Sequence, residues 1–286
     1  MQIACLYAVF SFECRLPMRY DVVAAVETPT AIPILLASSL FLSSLIKEDR
    51  KREEARNVND RKQYWMNGHN DFDAHATRSF YDRISQAYDL ISDAGESDAR
   101  NKGIELLNLQ PGEKVLDIGY GTGNAAIELA QRVGPSGQVW GIDISPGMNR
   151  VAEKKVQEAG LAATVKLEVG SALKLPYDDG AFDAVYMSFT LELFPADDIA
   201  ATLAEARRML RPGGRIGVVA MATVRDGAQD SLLEKSYKWT HLHFPHIVDC
   251  RPIDVERSIV GAGFTLTQDD RLDIFTMPVA AIVARK

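Results

Sequence analysis

Residues 115–123 read VLDIGYGTG, and this nonapeptide constrains the fold more than any other stretch of the chain. Three apolar residues and an Asp lead into a glycine-spaced turn, and a helix-compatible run from Asn124 to Arg132 follows. The order is a buried strand, a tight loop and a helix N-terminus. Such a loop lets a ligand approach bare backbone N–H groups at the positive end of a helix. In an open α/β sheet, ligands bind at the carboxyl ends of strands like this one.

The glycine spacing narrows the ligand. Gly119, Gly121 and Gly123 form G-x-G-x-G, whereas the dinucleotide fingerprint G-x-G-x-x-G needs a glycine where this chain has Asn124. No Lys-Ser/Thr pair follows, which excludes a phosphate loop. Asp117, at the strand end, would repel a pyrophosphate and suits a ligand carrying an ammonium or sulfonium group. The nonapeptide resembles motif I of the class I S-adenosylmethionine (SAM) methyltransferases. That resemblance implies that Asp117, Gly119, Gly121 and Gly123 hold the methionine part of SAM.

The following strands extend the match. QVWGID (138–143) is an apolar strand ending in Asp143, where an acid holds a ribose diol by paired hydrogen bonds. Ser145 and Pro146 suit the N-cap and first position of the next helix, a role compatible with the ribose one. Ile144 and Met148 are assigned to the cofactor with Asp143. Val165 to Val169 alternates as a strand and leads into Gly170-Ser171-Ala172 and then LPYDDGAFDAVYMS (175–188). This stretch resembles the family's third and fourth strand region, with Ser171 where the family has an acid for the adenine amino group. A hydroxyl accepts there more weakly than a carboxylate. Ala172 lies beside it, and Ser188 and Phe189 would border SAM. EARRMLRPGGRIGVVA (205–220) resembles the family's helix, Pro-Gly-Gly turn and fifth strand.

The resemblance covers about residues 78–286 and is strongest to the ubiquinone/menaquinone-biosynthesis C-methyltransferases. FYDRISQAYD (80–89) is similar to the repeated Tyr-Asp segment of that group. By position Tyr88, with Tyr81, would close over SAM. The residue pattern equally fits two core aromatics on an amphipathic helix.

Alternation of strand and helix predicts an α/β fold. The expected form is a Rossmann-like, mostly parallel seven-stranded sheet with helices on both faces. Strands are expected at 113–118, 138–142, 164–169, 182–188, 214–221, 264–270 and 274–284. Helices are expected at 123–133, 146–159, 196–210 and 253–262, with a helical insert at 228–241. The resemblance implies that the last strand runs antiparallel.

The first 75 residues are different material. Residues 28–46 carry no charge and KEDRKREEAR (47–56) is dense in mixed charge. The apolar stretch is near the length of a membrane span, but Pro29, Pro33 and four serines weaken a span. A membrane-associating or weakly ordered helix is favoured, with peripheral membrane contact. The expected organisation is an N-terminal extension over 1–75 and a methyltransferase domain over 76–286.

The net charge of −7 argues against nucleic acid as substrate. Three widely spaced cysteines (Cys5, Cys14 and Cys250) give no disulfide framework and point to a reducing, cytoplasmic setting. The expected partner is a small-molecule acceptor. Three of the five histidines (His241, His243 and His246) cluster in YKWTHLHFPHIVDCRPI (237–253). One of them is a candidate general base, and Arg251 a candidate to steady a developing phenolate. A packing segment whose imidazoles satisfy local backbone groups stays open as the alternative. No metal is expected, because no carboxylate spacing supports one. Glu192, after the fourth strand, fits either a pocket acid or a surface acid.

Three functions remain at this level. The first is a SAM-dependent methyltransferase acting on a small aromatic or lipophilic acceptor such as a quinol or phenol. A phospholipid or small amine is the rival acceptor. The second is a SAM-binding protein without transfer activity, left open by Ser171 and by Tyr120 inside the glycine loop. The third, a nicotinamide oxidoreductase, is disfavoured by Asn124.

Overall fold

A computed structural model describes residues 88–223, 252–274 and 277–286, together with Arg78, Tyr81, Asp82 and Ser85. The expected N-terminal extension and helical insert lie outside the described residues. The elements are α1 (Tyr88–Leu107), β1 (Lys114–Ile118), α2 (Asn124–Val133), β2 (Gln138–Asp143), α3 (Pro146–Glu158), β3 (Val165–Val169) and β4 (Phe182–Ser188). A short 3-10 turn (Leu191–Leu193), α4 (Ala196–Met209), β5 (Leu210–Met221), α5 (Val255–Gly261), β6 (Thr265–Ile274) and β7 (Met277–Arg285) complete the chain. Among the described residues, no helix is long and apolar enough to cross a membrane.

The seven strands form one sheet in the order β3-β2-β1-β4-β5-β7-β6. The first five pair in parallel. β7 inserts antiparallel between β5 and β6, so the expected mostly parallel sheet is observed. The order reverses at β1, and the carboxyl ends of β1, β2 and β4 meet there, as a ligand-binding crevice requires.

Strand alternation divides the core in two. Val115, Ala184, Tyr186 and Val219 face α1 and α2 in one apolar cluster. Leu116, Ile118, Val185, Met187 and Val218 face α4 and α5 in the other. Asp117 shares the face of Val115 by this period. Each fully buried Leu or Ile contributes about 1.5–3 kcal/mol.

α1 crosses the first face at close range because of Gly103. A Cβ there would overlap Val219 Cγ2 and lie 2.8 Å from Tyr186 Oη. Tyr186, fully buried, donates its hydroxyl to the Arg100 carbonyl at 2.7 Å. The turn into β1 is held by Arg215, whose guanidinium donates to both Glu113 carboxylate oxygens at 2.9 and 2.7 Å.

β5 begins earlier than the Pro-Gly-Gly signal predicts. α4 ends at Met209, and Leu210 already pairs with Phe182. The register then shifts, with Ala184 opposite Arg215. Arg211 to Gly214 are therefore absorbed as a bulge within the strand, with Gly213 at φ 75°.

Candidate functional site

The three loop glycines are needed for three different reasons. Gly119 (φ 75°) has no room for a side chain, because a Cβ would overlap the Thr190 side chain. Thr190 in turn donates to the Ser188 carbonyl at 3.0 Å and fixes the turn after β4. Gly123 (φ 86°) lets α2 approach α3, since a Cβ there would stand 3.0 Å from Ala152 Cβ. Gly121 (φ 54°) has nothing among the described residues within 4 Å of its Cβ position. The open face of the loop is therefore at Gly121.

Tyr120 does not fill that face. Its ring lies against Gly141, where a Cβ would stand 2.6 Å from Tyr120 Cδ1. Its hydroxyl donates to Asn149 Oδ1 at 2.6 Å. Asn124 accepts from Lys155 of α3, so the residue that breaks the dinucleotide spacing joins two helices.

Two carboxylates sit at the adjoining strand ends. Asp143 accepts the Gly121 N–H at 2.9 Å through one oxygen and the Ser145 N–H at 2.8 Å through the other. Burial pushes its pKa up to about 6, opposed by those backbone donors and reinforced by the charge of Asp82. Asp143 is thus ionised at neutral pH and keeps lone pairs for further donors. Asp117 is 1% exposed, and neither of its oxygens has a hydrogen-bond partner among the described residues. Burial, and then the charge of Asp143, push its pKa up to about 8, against the attraction of Arg100 on α1. Burial thus favours its protonated form near neutral pH, and a ligand cation beside it would favour the charged form.

The structure brings Asp117, Gly119, Gly121 and Asp143 together at the ends of β1 and β2. Ile144 is half-buried and donates its N–H to Asp143. Ser145 caps α3 by accepting the Met148 N–H at 3.0 Å, with Pro146 at the first helical position. The Met148 side chain is 1% exposed and lies in the protein interior. Ser171 is exposed at the end of β3 and accepts the Leu173 N–H at 3.3 Å. Ala172 is buried and joins the apolar cluster on the α4 face. Ser188, half-buried, ends β4. Phe189, next to it, has φ 51° and donates its N–H to the Val219 carbonyl at 2.7 Å. A non-glycine residue in this region stores of the order of 1–2 kcal/mol. Tyr88 opens α1, with its side chain outside the described residues. His241, His243, His246 and Arg251 also lie outside them.

Glu192 is neither an exposed surface acid nor an unengaged one. It is 1% exposed and accepts the Met221 N–H at 3.1 Å, tying the turn after β4 to the end of β5. Its flanking leucines are the only sequence signal for this burial.

Asp82 carries a role that sequence reasoning passed over. Its Oδ1 accepts from Ser145 Oγ at 2.7 Å and from the Gly147 N–H at 2.6 Å. It lies within the repeated Tyr-Asp segment, where attention goes to the aromatic residue. No local signal announces the contact, because 63 positions separate Asp82 from Ser145.

Residues 115–214 match the family described as a methyltransferase domain. Over that segment the chain is similar to methyltransferases. Among curated relatives, the demethylmenaquinone methyltransferase of a Geobacillus species (strain WCH70) is 37% identical over 142 residues, 50% of this chain and 59% of that protein. The ubiquinone/menaquinone biosynthesis C-methyltransferase UbiE of Bordetella avium is 44% identical over 117 residues, 41% of this chain and 44% of that protein. The domain's match therefore spans less than two thirds of the length of these relatives. Among solved structures, YcgJ from Bacillus subtilis superposes with a TM-score of 0.55 at 18% identity, covering 66% of this chain and 98% of that one. That likeness is one of fold.

Proposed function

We propose that this chain transfers a methyl group from SAM to a small lipophilic acceptor of quinol or phenol type. The observation that carries the reading is the pairing of an engaged and a vacant carboxylate around the open face at Gly121. Asp143 accepts the Gly121 N–H at 2.9 Å, and Asp117 beside it is buried without a hydrogen-bond partner among the described residues. The donor set fits SAM. Asp143 would accept from the ribose hydroxyls, Asp117 would face the methionine ammonium, and the backbone at Gly121 admits close approach.

SAM supplies a methyl group on a sulfonium, so the transfer is an in-line displacement that leaves a neutral thioether. The protein's task is to align the acceptor and exclude water. His241, His243 or His246 is proposed as the base that takes the acceptor's proton, and Arg251 as the residue that steadies the resulting phenolate. The names of the quinone-biosynthesis relatives support a quinol acceptor over a phospholipid or small amine.

The test uses methyl-labelled SAM, the purified full chain and a demethylmenaquinol dispersed in detergent. Expected are labelled quinone in the organic phase and an equal amount of S-adenosylhomocysteine. Label found only in phosphatidylethanolamine or in the aqueous phase of a host extract overturns the quinol acceptor. SAM binding without S-adenosylhomocysteine overturns transfer itself.

A further inference from the structure

We propose that Asp82 is a positioning residue for the cofactor site: its carboxylate latches the arm ahead of α1 onto the head of α3, coupling the seating of that arm to the ribose-facing Asp143. The inference rests on the SAM reading above and extends it to a residue that does not touch the cofactor.

The hydrogen bonds form one continuous chain. Asp82 Oδ1 accepts from Ser145 Oγ at 2.7 Å and from the Gly147 N–H at 2.6 Å. Ser145 Oγ accepts the Met148 N–H at 3.0 Å, and the Ser145 N–H goes to Asp143 at 2.8 Å. The other Asp143 oxygen takes the Gly121 N–H at 2.9 Å. The arm, the helix head, the ribose carboxylate and the open glycine are therefore linked through Ser145, which is fully buried.

The backbone is fitted to the contact as well. A Cβ on Gly147 would stand 2.8 Å from Asp82 Cα and 3.0 Å from its carbonyl oxygen. Only glycine lets the arm lie this close. Ser85 Oγ donates to the same carbonyl at 3.1 Å, closing the arm into a turn.

Electrostatics gives the latch a consequence for the ligand. Asp82 and Asp143 are like charges held on one serine, and Asp82 raises the pKa of Asp143. The positive N-terminus of the 13-residue α3 offsets part of this repulsion. Donors from a ribose would offset more, so cofactor binding and arm docking strengthen each other reciprocally.

The experiment measures SAM affinity by calorimetry, thermal melting without SAM, and hydrogen exchange over residues 81–85 with and without SAM. The full-length chain is compared with Asp82→Ala, Asp82→Asn and Gly147→Ala. Asp82→Ala and Gly147→Ala are each expected to raise the SAM Kd about tenfold. In Asp82→Asn the amide oxygen accepts the same two donors, and it is expected to recover most of the affinity. SAM is expected to slow exchange over 81–85 in the wild type and not in Gly147→Ala. If the alanine variant at 82 does not fold, the other two carry the test. Kd values within twofold of wild type, even with lower melting temperatures, would reduce Asp82 to a packing contact and overturn the proposal. Failure of the wild type to bind SAM overturns the cofactor reading and the coupling together. That outcome differs from wild-type binding with unaffected variants.

Discussion

Asp143 accepts the backbone N–H of Gly121 at 2.9 Å, so the carboxylate at the end of β2 holds open the glycine loop at the end of β1. The acid and the loop are therefore one hydrogen-bonded unit.

Replacement of Asp143 should therefore remove two things, the acceptor for the ribose and the brace on Gly121. Asp143→Ala is expected to weaken SAM binding by about tenfold to a hundredfold, the range for hydrogen bonds to a charged group. Calorimetric titration checks this, and an unchanged Kd would end the ribose assignment.

Asp117 gives a pH dependence with a definite sign. The folded protein keeps the Asp117 proton up to about pH 8, whereas the unfolded chain releases it in the ordinary carboxylate range. Between these values the unfolded state binds fewer protons, so the stability of the ligand-free protein falls as pH rises. Asp117→Asn should melt higher than wild type at pH 8 and by a smaller margin at pH 5. A cation on Asp117 favours its charged form. SAM affinity should accordingly rise with pH between about 6 and 8, by up to about tenfold per pH unit. Titration in buffers of different ionisation heat should show proton release on binding. A flat pH profile with no proton release would remove Asp117 from the ammonium site.

Two glycines should fail in different ways when replaced by alanine. Gly103→Ala forces a methyl group into Val219 and Tyr186 and should cost about 1–3 kcal/mol in denaturant melts. Gly121→Ala meets no neighbour among the described residues, but it strains a positive φ and places a methyl group on the open face. It should cost about 1–2 kcal/mol of stability and weaken SAM further than that strain explains. Equal SAM affinity for Gly121→Ala and wild type would move the cofactor off this face.

His246→Ala tests the proposed base. A general base contributes of the order of a hundredfold to ten-thousandfold in rate. The turnover number should therefore fall at least about a hundredfold while the SAM Kd changes little. Full turnover would return this histidine to packing, and the same measurement on His241 and His243 would follow.

Most of the sheet was legible from residue order. The strands at VLDIG, QVWGID and FDAVYMS show themselves as apolar runs closed by Asp, Gly or Ser, and those signals are local. β5 shows where legibility stops. Pro212 and Gly213 read as a break, yet Leu210 already pairs with Phe182, because a bulge lets the sheet continue past them. Glu192 shows the same limit at the site, since nothing beside it in the chain reveals that the Met221 N–H awaits it at 3.1 Å.

The sequence by itself determined the parallel α/β sheet, the glycine loop and the acids at the ends of β1 and β2, because strand period, turn chemistry and helix caps act over a few neighbouring residues. Only the tertiary structure decided which glycine is open among the described residues, that Asp117 is deeply buried, and that Asp82 reaches across 63 positions to Ser145. These depend on which side chains the packed sheet brings together, and no local pattern in the chain encodes such distances.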